Sequence, residues 1–163
     1  MAVNHYKPHV VVLVEDRANA DIANGFLLEI GHRQRNVEVS RPCGGWLEVL
    51  KELERQFEKL DRFPARRIVL VLDFDDQVEN RTSLIRKKVP EQYRSRIFLL
   101  GCRFEPERLR TALGLSLERI GSTLSRECSD DELPEALWLH DHLSHNDGER
   151  RRLRAEVADF LLP

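Results

Sequence analysis

Four carboxylates stand where this sequence could do chemistry. Glu15 directly follows the apolar run His9 to Val14 (HVVVLV), and Asp73, Asp75 and Asp76 directly follow the apolar run IVLVL at 68–72. If both apolar runs are central parallel strands, their acids meet at one sheet edge. In extended backbone Asp73 and Asp75 point the same way, and Phe74 points to the other face. Two unit charges about 4 Å apart at an effective dielectric of 20 repel by roughly 4 kcal/mol, and a divalent cation removes that cost. Hard oxygen ligands with no histidine or thiolate beside them suit Mg²⁺ or Mn²⁺ rather than Zn²⁺, and Mg²⁺ completes its shell with waters and a phosphate. The chemistry expected is therefore metal-assisted phosphoryl transfer. Each acid taken alone has a second explanation, because Asp at a strand end also caps a helix or closes a turn.

The elements that would position these acids alternate. A continuous β-branched run such as HVVVLV suits a strand covered on both faces. Ile22, Ala23, Phe26, Leu27 and Ile30 then recur at helical spacing, with Asn19 as the expected N-cap and Gly31 as the stop. Asn36 to Ser40 (NVEVS) alternates like a short strand, and Pro42, Gly44 and Gly45 break the chain before a helix with Trp46, Leu50, Leu53, Phe57 and Leu60 on one face. Arg96 to Leu100 is the fourth strand. The pattern predicts an α/β fold, a four-stranded, mainly parallel sheet flanked by helices, whose ligands bind beyond the carboxyl ends of the strands.

Residues 1–104 form this α/β core, and 105–163 form a C-terminal helical extension packed on the same domain. Within that extension Leu133, Leu137 and His140 are expected in one helix and Leu153, Val157 and Phe160 in the last. Asn146 with Glu149 resembles a capping box for the last helix.

The 163 residues, 41% of them hydrophobic, suffice for one core. A net charge of −2, from 26 basic and 28 acidic side chains, rules out a uniformly cationic coat for nucleic acid, so a polyanion would need a local patch. No apolar stretch is long enough for a membrane span. Cys43, Cys102 and Cys128 are scattered and form no CxxC pair, which suits reduced thiols and a cytoplasmic location.

VVVLVEDRANADIANGFL with Glu15, and IVLVLDFDD with Asp73 and Asp75, resemble the two signatures of a TOPRIM domain. This is the Rossmann-like catalytic module of bacterial primases, type IA and type II topoisomerases and OLD-family nucleases. Cys43-Gly44-Gly45 stands where these domains carry a glycine-bearing turn, and the resemblance covers roughly residues 9 to 104. It implies that Glu15, Asp73 and Asp75, with Asp76 beside them, hold Mg²⁺ or Mn²⁺ against a phosphodiester. It also implies that Glu105 joins them as the acid after the fourth strand. Tyr6 and Tyr93 occupy no counterpart of the topoisomerase nucleophile, and these residues include no zinc-binding domain of the primase kind. A small nuclease acting on nucleic acid, with DNA the expected polymer, is what the resemblance implies, working beside an ATPase partner in defence or repair. Two other readings remain: a non-catalytic TOPRIM-like interaction subunit, and a haloacid-dehalogenase-like phosphatase. The phosphatase family sets its DxD on the first strand rather than the third.

Arg86, Lys87 and Lys88 are placed to contact phosphates, whereas Arg150, Arg151, Arg152 and Arg154 read as a solvated helix face balanced by Glu149 and Glu156. His140, His142 and His145 lack zinc-ligand spacing, and His140 reads as a partly buried structural residue. Trp46 and Trp138 face core or partner, since 7% aromatics without basic interleaving make no base-stacking platform.

Overall fold

A computed structural model describes residues 2–130 and 133–162. Four strands, β1 (His9–Val14), β2 (Val37–Val39), β3 (Arg66–Val71) and β4 (Ile97–Leu100), form one sheet in the order β2-β1-β3-β4. All three pairings are parallel. The two apolar runs are therefore the two central strands, in register from His9↔Arg66 to Val14↔Val71. The order reverses between β1 and β3, so the crevice such sheets use for ligands opens at the carboxyl ends of these two strands.

Strand alternation divides the core in two. Val10, Val12, Val14 and Val69 face α1 (Arg17–Glu29), α4 (Pro106–Leu113) and α5 (Leu117–Glu127), where Leu109, Ile120 and Leu124 complete the layer. Val11, Leu13, Ile68, Leu70 and Leu72 face α2 (Trp46–Arg62) and α3 (Val78–Lys88) through Val49, Leu53, Leu60 and Ile85. Where α1 crosses α5 the backbones touch. A Cβ on Gly25 would lie 2.0 Å from the Glu118 carbonyl oxygen, and one on Gly121 would lie 1.9 Å from that of Ile22.

Three local expectations are corrected. The N-cap of α1 is Asp16, not Asn19: the chain turns directly out of β1, and Asp16 Oδ1 accepts from the Asn19 backbone N–H at 3.0 Å. Leu133, Leu137 and His140 do not share a helix. Pro134 interrupts the segment, which forms turns and a short 3₁₀ helix (Leu137–Leu139) that buries Trp138 and leaves Leu133 and Leu139 exposed.

The third correction concerns Asn146 and Glu149 at the start of α6 (Asp147–Val157), which make no capping box. Asn146 accepts from Gly101 N–H at 3.1 Å and donates to Gly101 C=O at 2.9 Å, while Glu149 accepts from Leu99 N–H at 2.9 Å. Arg152 donates to Ile97 C=O at 2.5 Å. Side chains at three-residue intervals of α6 thus satisfy the outer edge of β4, which would otherwise present unpaired backbone groups. Arg150 is 4% exposed and donates to Cys128 C=O, so it is a structural member of the arginine run, whereas Arg151 is exposed and Arg152 pairs with Glu149.

Candidate metal centre at the ends of the central strands

The ladder continues one residue past β1, because Glu15 N–H donates to Val71 C=O at 3.0 Å. Glu15 is half-buried, and its Oε2 accepts the Asp73 backbone N–H at 2.7 Å. Beside it, Gly44 N–H donates to Glu15 C=O at 2.9 Å, so the Cys43-Gly44-Gly45 turn flanks this residue. Asp73 is 7% exposed. Its Oδ1 accepts from Asn19 Nδ2 at 3.0 Å, and the same amide donates to Asp16 Oδ1 at 3.0 Å.

Beyond Asp73 the strand does not stay extended. Asp75 and Asp76 adopt φ of +47° and +58°, left-handed values that Asp tolerates better than most residues. This corrects the expectation that Asp73 and Asp75 point the same way. Asp75 Oδ2 is instead 2.5 Å from the Arg81 guanidinium, which also donates to Asp73 C=O. Arg81 is 8% exposed, and its guanidinium lies 4.8 Å from the Trp46 ring centroid. Asp76 pairs with Arg103 at 2.9 Å. Glu105 is the exposed N-cap residue of α4 and pairs with Arg108 at 3.2 Å. Of the five acids, three are thus matched to arginines, while the Glu15 and Asp73 carboxylates have no ion-pair partner among the described residues.

The electrostatics follow from that division. Burial pushes the Asp73 carboxyl up to about 7; the Asn19 hydrogen bond opposes the shift, and the charges of Glu15, Asp16 and Asp75 add to it. Burial likewise raises Glu15 above the usual carboxylate range, against the Asp73 N–H hydrogen bond. Among the described residues no three His, Cys, Asp or Glu side chains are grouped closely enough to hold a metal ion. The donors at the Glu15–Asp73 edge nevertheless fit Mg²⁺ or Mn²⁺. Both are hard oxygen ligands with no salt-bridge partner among the described residues, although the Arg81 charge reaches Glu15 and opposes its upward shift, and next to them Asn19 Oδ1 is buried with no hydrogen-bond partner. Mg²⁺ is commonly held by one or two carboxylates plus waters and a phosphate.

Asn19, Asp16 and Arg81 belong to the site, and the sequence reading did not select them for it. Asn19 is expected from the sequence only as a helix cap, and Arg81 carries no motif in the sequence. The histidines form no zinc set: His140 Nδ1 accepts from His142 N–H at 3.1 Å, and the His142 and His145 rings sit edge-on to Phe104 and Phe74.

No family model matches this chain, and comparisons with curated proteins and with solved structures find no match. Among the described residues, no helix is long and apolar enough to cross a membrane.

Proposed function

We propose that this protein is a Mg²⁺- or Mn²⁺-dependent nuclease of TOPRIM type, hydrolysing phosphodiesters of nucleic acid. One observation carries the reading: Glu15 and Asp73, two carboxylates with no salt-bridge partner among the described residues, stand at the ends of adjacent central strands, tied by the 2.7 Å hydrogen bond from the Asp73 backbone N–H to Glu15 Oε2. Glu15 and Asp73 would hold the cation, with Asn19 fixing the Asp73 carboxylate and Arg81 fixing the loop that follows. A divalent ion bound there would polarise the phosphodiester and stabilise charge developing on its oxygens. DNA as the polymer and an ATPase as partner follow from the resemblance of VVVLVEDRANADIANGFL and IVLVLDFDD to TOPRIM signatures.

The test is cleavage of end-labelled DNA by purified protein with Mg²⁺, Mn²⁺ or chelator. Cleavage that needs metal and vanishes in Glu15→Gln and Asp73→Asn supports the reading. A wild-type protein that leaves DNA intact under all three conditions, alone and with a co-purified partner, would overturn it. A second reading, a non-catalytic TOPRIM-like subunit, draws support from Asp75, Asp76 and Glu105 being matched to arginines. That reading predicts metal binding without cleavage.

A further inference from the structure

A cleft of about 550 Å³ lies between α3, the outer edge of β4 and the segment leading into α6. Phe74 and Leu99 line it, Ser83, Arg86 and Lys87 reach it from α3, and Arg94 reaches it from the segment that follows. The C-terminal half of α3 thus meets Arg94 in a concentration of positive charge. Lysine and arginine in a last helical turn are ordinarily explained by the helix dipole. Arg94 likewise lies in the last turn of a short 3₁₀ helix (Glu91–Arg96), but the dipole does not account for which side chains face the cleft. Lys88 sits 3.9 Å from Glu54 and does not line the cleft, whereas Arg86 and Lys87 do.

Two acids, Glu79 and Glu149, line the cleft with these cations; Glu79 stands in the first turn of α3, so the positive charge concentrates toward the opposite end of the helix. Glu149 is only 15% exposed at its side chain, and its carboxylate is committed to Leu99 N–H and to Arg152, each at 2.9 Å. Arg86 approaches it at 3.4 Å with 63% of its own side chain exposed. Lys87 has no ion pair among the described residues, and Arg94 donates only to Val89 C=O, at 3.2 Å. At the other end the cleft begins at Phe74, between Asp73 and Asp75. The eleven residues of α3 give it a wall of about 16 Å, against a rise of about 3.4 Å per nucleotide of a strand.

We infer that this cleft is the track for one nucleic-acid strand, with Arg86, Lys87 and Arg94 on its phosphates. The inference rests on the nuclease reading, because the acidic loop at one end gives the strand its destination. It is tested by fluorescence anisotropy of a short fluorescein-labelled single-stranded DNA, with chelator present and over a series of salt concentrations. Lys87→Glu with Arg94→Glu should weaken binding about tenfold or more and lower the slope of log affinity on log salt by about 1.4, at about 0.7 per contact.

Lys59→Glu with Arg62→Glu makes the same change of net charge on the exposed end of α2 and should leave affinity within about twofold of wild type. Equal weakening by both pairs, unchanged binding by the first pair, or no binding by wild type each overturns the inference. The Mn²⁺-induced rise in melting temperature, measured on the same proteins, reports the Glu15–Asp73 site independently. Its absence beside a cleft-dependent affinity would overturn the metal reading and leave the strand track standing.

Discussion

The backbone N–H of Asp73 donates a 2.7 Å hydrogen bond to Glu15 Oε2, and this ties the carboxylate after β1 to the residue after β3. The bond uses one lone pair of Glu15 and leaves both carboxylates without a salt-bridge partner among the described residues, in a crevice where the sheet order reverses. The predictions below follow from that arrangement and from the residues that hold it.

Arg81 is the first. It donates to Asp73 C=O and Asp75 Oδ2 from a buried position, holding a loop whose two aspartates sit at positive φ. Arg81→Met keeps a stem against Trp46 but loses the charged hydrogen bonds, and should cost about 2–3 kcal/mol in urea denaturation. Asp75→Asn should cost about 1 kcal/mol, because Asp75 is half exposed and the amide oxygen still accepts.

Asp73 makes apo stability depend on pH in a defined direction. Its carboxyl titrates near 7 in the fold and near the ordinary 3.8 when unfolded, so the native state holds the proton more tightly. The stabilisation is full below the unfolded value and is lost as pH rises through about 7. Burial raises the pKa of Glu15, with the same sign, and lowers those of His9, His142 and His145, whose contributions have the opposite sign, so the wild-type profile alone mixes them all. The difference between Asp73→Asn and wild type isolates Asp73: the variant should gain relative stability between pH 5 and pH 8, read by thermal unfolding without divalent ions. Cation binding should accordingly release close to one proton at pH 6 and far less at pH 8.5, read by calorimetry in buffers of different ionisation enthalpy.

The α1–α5 crossing supports the same edge from below, since the N-cap of α1 is Asp16. Gly121→Ala places a methyl 1.9 Å from the Ile22 carbonyl oxygen, which only a shift of the helices relieves. It should cost about 3 kcal/mol or more, at the upper end of overpacking penalties. Asn146→Ala strands both Gly101 backbone groups and should cost about 2 kcal/mol. Chemical denaturation checks both.

Much of this was legible in the residues. A strand buried on both faces must be apolar throughout, so HVVVLV and IVLVL marked themselves as β1 and β3, and the acids after them fell at one edge. The loop after Asp73 was not legible, because a period-two reading of DFDD assumes extended backbone and nothing in the letters marks the left-handed turn. Arg81 was hidden for a related reason. In the polar helix VENRTSLIRKK it resembles its solvated neighbours, and tertiary partners, Asp75 from the turn and Trp46 from α2, meet it only in the fold. Asn146 and Glu149 matched a capping box by spacing, but an unpaired strand edge nearby offered stronger partners than the helix's own N–H groups.

The central claim is that Glu15 and Asp73, rather than the whole acidic set, make the cation site. Its most direct measurement is the melting temperature of wild type, Asp73→Asn, Asp75→Asn and Glu105→Gln with and without Mn²⁺. At about a hundred times the dissociation constant the ion should add about 2.7 kcal/mol, a rise of about 5–10 °C for a chain of this size. The account predicts that rise in wild type, Asp75→Asn and Glu105→Gln and its loss in Asp73→Asn. A rise that survives Asp73→Asn, or that disappears in Asp75→Asn, would contradict it.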